Sequence, residues 1–161
     1  MSVFNKIYDA HIREKNQREQ EDAAKAAAEK AASNEFIAAF KLHLEFVAAP
    51  IFEAFVKDAK SHGFPAKTEF DTDAANNMIY TLAFAALPGT ELGAHPQGEC
   101  ACIIKGMVAE RKVELTSQFD KRPGRRVGVK TEVFALPVVT AVVLERVLGE
   151  LLSSALEASV S

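Results

Sequence analysis

The densest cluster of side chains able to do chemistry is His95-Pro96-Gln97-Gly98-Glu99-Cys100-Ala101-Cys102. On an extended strand Cys100 and Cys102 point to the same face, with Cα atoms about 6.5–7 Å apart. That separation lies at the far limit for a disulfide, so two free thiols are expected. With His95 upstream they could supply three ligands to zinc. However, C-x-C is not the usual ligand spacing, and the chain has only these two cysteines. The simpler expectation is two small buried hydrophobes, with no metal and no cofactor. The three other histidines sit in no catalytic motif, and the chain has neither a nucleophile elbow nor a phosphate-binding loop. His43 lies at the rim of an apolar helix face. His62 stands near a helix C-terminus, where a cation is favourable without any function. No catalytic residue is assigned.

Glu69, Asp71 and Asp73 alternate along one strand, which places them on one side of it. Three carboxylates could do acid–base work or bind calcium, but the same alternation is expected of any exposed edge strand. The most specific local feature is basic: Lys121, Arg122, Arg125, Arg126 and Lys130, spaced around Pro123-Gly124. Pro-Gly fits the centre of a type II turn, so these residues crowd a β-hairpin tip. Such a tip can be ordinary solvated loop charge, or it can meet an acidic protein surface or nucleic-acid phosphates. The overall balance is acidic, with a net charge of −3, and no aromatic residue between Lys121 and Lys130 could stack on bases. A protein partner is therefore favoured over nucleic acid.

The chain that must position these groups has 161 residues, enough for one domain with a real core. Its charge is segregated. Residues 1–33 carry six basic and six acidic groups, residues 34–104 four and nine, and residues 105–130 eight and three. Near the start, Val3, Phe4, Ile7, Tyr8 and Ile12 form a short amphipathic stripe, followed by a charged run and the alanine-rich AAKAAAEKAA. Residues 1–33 read as a helical arm whose tip, with Phe4, Ile7 and Ile12, is presented to a partner. Ser33-Asn34 offers cap chemistry for a second helix, so residues 34–161 are expected to form one α+β domain.

In that domain Phe36, Phe40, Leu44, Val47, Ile51 and Phe55 step by four, four, three, four and four, the mark of one helix face. Pro50 interrupts the pattern and predicts a kink near Phe46–Pro50. Strands follow at 67–73, 77–87, 99–108, 112–119 and 126–134. Their short connections favour an antiparallel sheet of four or five strands. The 77–87 segment is apolar on both faces, which predicts cover on each side. A last helix is expected from Pro137 to about Glu157, packed on the sheet. Its apolar residues exceed what one sheet face can hide. Val138, Val142 and Leu152 are therefore expected to form a homodimer interface.

No run approaches the roughly 18 apolar residues of a membrane span, and the N-terminus has no leader-like apolar stretch. A cytoplasmic protein with no membrane partner is expected. The functional reading is a non-enzymatic homodimeric adaptor, with a chaperone-like role in the manner of small acidic helix–sheet–helix dimers as one form of it. Two alternatives stand beside it: a nucleic-acid-associated protein using the basic hairpin, and a metalloprotein or enzyme at His95, Cys100 and Cys102.

Overall fold

The computed structural model describes residues 2–86, 89, 91–93, 99–119 and 129–160, with the side chains of 158–160 left aside. Residues 1–36 and 37–161 separate into two compact units. The first is helical. Helix α1 (Val3–His43) begins after Ser2, whose hydroxyl accepts the Asn5 N–H at 3.3 Å. The cap is thus Ser2 and not Ser33-Asn34, through which the helix continues without a break. Alanine-rich sequence on the N-terminal side holds those two residues in helical geometry, and a cap needs a non-helical one. Near the start, Phe4 and Tyr8 stack at 5.9 Å, and Val3, Phe4, Ile7 and Tyr8 are exposed.

The second unit is α+β. Five antiparallel strands run in chain order: β1 (Ala66–Thr72), β2 (Met78–Ala85), β3 (Glu99–Met107), β4 (Lys112–Phe119) and β5 (Val129–Phe134). The register aligns Thr68, Leu82, Cys102, Ser117 and Lys130 in one row across the sheet. Asp73 ties the β1–β2 turn. Its Oδ1 accepts the N–H groups of Ala75 and Asn77, both at 2.9 Å, while Asn76 takes a left-handed φ of 61°.

A π-helical turn (Leu44–Ala48) joins α1 to α2 (Ala49–Ser61) at the position where Pro50 predicts a kink. Pro50 has no N–H to return to the carbonyl of Phe46, and the helix widens, with the Ala49 N–H bonding Leu44 O instead. The widening corrects the expected core stripe. In a regular helix four-residue steps drift by roughly 40° each, so the straight pattern turns to Val47, Ile51 and Phe55. The π turn absorbs that drift. Phe36, Phe40, Leu44, Ala48 and Phe52 are buried, whereas Val47, Ile51 and Phe55 are only half-buried.

Phe52 stacks on Tyr80 at 5.2 Å, and Phe55 meets Phe84 at 5.1 Å. Phe40 lies so close to β3 that a Cβ on Gly106 would stand 2.7 Å from its ring. These helices share a sheet face with Leu82, Cys102, Ile104 and Leu115, all buried. On the opposite face Ala83, Ala85 and Ala101 are buried, while Ile79, Thr81 and Ile103 are half-buried.

Helix α3 (Ala141–Val160) also packs on the sheet. It starts later than expected. Pro137 belongs to a separate 3-10 turn (Leu136–Val138), and Thr140 caps α3 by accepting the Val143 N–H at 3.4 Å. Leu144, Val147, Leu148, Leu151 and Ala155 are its buried stripe, at ordinary helical spacing.

Candidate functional site

Helices α2 and α3 meet at few positions. An apolar groove runs between them as three adjoining cavities. The first, about 640 Å³, lies between the π turn and the segment leading into α3; Leu42, Phe46 and Pro50 line one wall, Leu136, Pro137 and Ala141 the other. Pro50 and Ile51 pass into a second cavity of about 440 Å³, opposite Leu148, Gly149 and Leu152. Phe55 and Leu152 pass into a third of about 460 Å³, which ends at His62, Phe64 and Leu156. Polar side chains are few and peripheral: Thr140 and His43 at one end, Glu145 midway, Asp58 and His62 at the other.

Each wall follows from local sequence. Leu42 and Phe46, on the side of the helix away from the buried stripe, are 56% and 69% exposed. Across from them, His43 Nε2 lies 2.5 Å from the carbonyl oxygen of Val139, pinning the segment before α3 to the end of α1. The other ring nitrogen, Nδ1, is buried and has no hydrogen-bond partner among the described residues. Gly149 keeps the α3 wall low in the middle of the groove; a Cβ there would meet nothing within 4 Å. Thirteen residues of α2 span roughly 20 Å. A long, apolar, open groove with a sparse polar rim is the form that takes an amphipathic helix.

No family model matches this chain, and no curated protein or solved structure matches it either.

The residues expected to form a dimer interface lie around the start and on the groove side of α3. Val138 lies in the 3-10 turn and Val142, 74% exposed, in the first turn of α3, whereas half-buried Leu152 lines the groove. The apolar surplus of α3 includes Leu152 and Leu156, which line the groove. Leu42 and Phe46 escaped sequence reasoning. Their signal was two large apolar residues, four apart, on the side of the helix opposite the core stripe.

Of the basic hairpin, Lys121, Arg122, Arg125 and Arg126 lie outside the described residues. Lys130 pairs with Glu132 at 2.9 Å and Glu150 at 3.8 Å, and Arg146 reaches the same two carboxylates. The hydrogen bond to Glu132 holds the Lys130 ammonium above its ordinary pKa, and the same bond holds the Glu132 carboxyl below its own.

His95 is likewise outside the described residues. Cys100 and Cys102 are not joined as a disulfide; both are buried on the helix-facing side of β3, and burial pushes the Cys102 thiol up to about 12. A thiol so placed is a poor nucleophile. The three acids of the β1 region do not converge. Glu69 pairs with Lys67 at 2.7 Å, Asp71 accepts the Thr72 N–H, and Asp73 binds its own turn and Lys105 at 3.1 Å. The Asn77 backbone N–H above all, with Lys105 adding to it, lowers Asp73 to about 2. Among the described residues no group of three or more His, Cys, Asp or Glu could hold a metal ion, and no helix is long and apolar enough to cross a membrane.

Proposed function

We propose that the protein is a non-enzymatic, homodimeric adaptor whose α2–α3 groove takes an amphipathic helix of a protein partner. The observation that carries this reading is the groove itself, apolar along its length and bounded by Phe46 and Leu42 in open solvent. Large apolar side chains left this exposed, side by side and rimmed by polar residues, mark an interaction surface. The rim acids Asp58 and Glu145 favour a partner helix with basic residues beside its apolar stripe. The exposed Phe4 and Ile7 stripe of α1 offers a second, separate binding element.

The test uses the full chain. Partners are captured from the native host, and the helical segment of a captured protein is synthesised and titrated against native protein and Phe46→Asp. An aromatic anchor in such a groove is worth 2 kcal/mol or more, so affinity should fall at least about thirtyfold. Phe46 faces solvent, and the thermal midpoint should hold. Equal affinity of the two proteins for the segment would overturn the reading.

A further inference from the structure

The edge strand β5 carries a pattern that none of the preceding uses. We propose that two copies of this chain pair edge to edge through β5, about a two-fold axis at Thr131, joining their sheets into one of ten strands. The inference rests on the homodimeric reading above but not on the groove.

Among the described residues β5 has one strand neighbour, β4, which leaves alternate N–H and C=O groups of its outer side for a further strand. Its sequence around Thr131 is Val129-Lys130-Thr131-Glu132-Val133. Placed antiparallel to its own image with Thr131 opposite Thr131, Lys130 faces Glu132 of the second copy and Val129 faces Val133. Val129 and Val133 are 49% and 52% exposed in the single chain. Opposite charges and β-branched residues directly across an antiparallel pair are both favourable. Arg146 and Glu150, already paired with these side chains from α3, stand on the same side of the seam.

The alternatives exclude themselves. A one-residue slip turns the second copy over, so its helices lie on the opposite side of the joined sheet. A two-residue slip sets Glu132 against Glu132 or Lys130 against Lys130, and like charges directly opposed are destabilising. Charged residues on an edge ordinarily discourage pairing; here they discourage the neighbouring registers and favour the one centred on Thr131. The opposite edge, β1, has the related Lys67-Thr68-Glu69, but there the flanking pair would be Ala66, already buried, and Phe70. A second copy at β5 gains two valine pairs that β1 cannot supply.

Cross-linking tests the geometry. Directly opposed residues have Cα atoms about 4.5–5.5 Å apart, within disulfide reach. Full-length Thr131→Cys, oxidised with glutathione, should run as a covalent dimer on a non-reducing gel. Val133→Cys, equally exposed but roughly 14 Å from its own image, and Thr68→Cys should not. The native cysteines are buried and contribute no background. Light scattering on the native chain separates the two levels. A monomer sinks both this interface and the homodimeric reading. A dimer in which Thr131→Cys fails to link, or links no better than Val133→Cys or Thr68→Cys, sinks the β5 interface alone.

Discussion

Gly106→Ala tests how the helices are seated on the sheet. The added methyl would stand 2.7, 2.8 and 3.0 Å from Cδ1, Cε1 and Cγ of Phe40. Carbon atoms rest about 3.5–4.0 Å apart, so the ring must retreat by roughly 1 Å. Phe40 is fully buried, and the ring has nowhere to go without moving its neighbours. Overpacking of this kind costs about 1–3 kcal/mol. Replacing a strand glycine by alanine returns about 0.5–1 kcal/mol of backbone entropy. The net expectation is a loss of about 1–2 kcal/mol, which is a fall of roughly 2–8 °C in the thermal midpoint of a chain this size. Urea unfolding monitored by circular dichroism gives the value. Phe40→Leu removes the obstructing ring, so Phe40→Leu with Gly106→Ala should cost less than the two single changes together. If Gly106→Ala is as stable as the native chain, or if the pair is simply additive, the close approach of Phe40 to β3 is wrong.

Other expectations follow from the buried and hydrogen-bonded groups. Cys102 keeps its proton to about pH 12 when folded but loses it near its ordinary 9 when unfolded. Stability should therefore fall above pH 9, by up to about 1.4 kcal/mol per pH unit, and Cys102→Ala should flatten that limb in alkaline urea titrations. Asp73 has the opposite sign. Its carboxylate contributes stability above its ordinary value of 3.8, and the contribution is lost as pH falls toward 2. Asp73→Asn should remove this part of the acid sensitivity, and carbon-detected NMR should place the Asp73 midpoint near 2. Thr140→Ala should cost about 1 kcal/mol through the lost cap, and calorimetry of the variant would show it.

Alternation and turn residues made the sheet readable: every strand expected from them is present among the described residues, within a few positions at each end. The π turn was half legible. Pro50 marks the place, but the change of buried face from Val47 and Ile51 to Ala48 and Phe52 depends on how the helix repairs the missing N–H, which periodicity does not encode. Helix ends misled. Ser33-Asn34 has cap chemistry inside a strong helix, and Pro137 starts a 3-10 turn instead of α3. The groove was the least legible part because it is built from two helices distant in sequence. Only its α3 side announced itself, as the surplus of apolar residues that includes Leu152.

The π turn also accounts for what the groove is made of. Two apolar faces are written into residues 44–55, one running through Val47, Ile51 and Phe55 and the other through Ala48 and Phe52. A straight helix would bury the first. By taking up one extra residue, the turn hands the sheet to Ala48 and Phe52 and leaves the first set to line the groove. The binding surface is thus a displaced core: side chains suited to the interior, released from it by the missing N–H of a single proline.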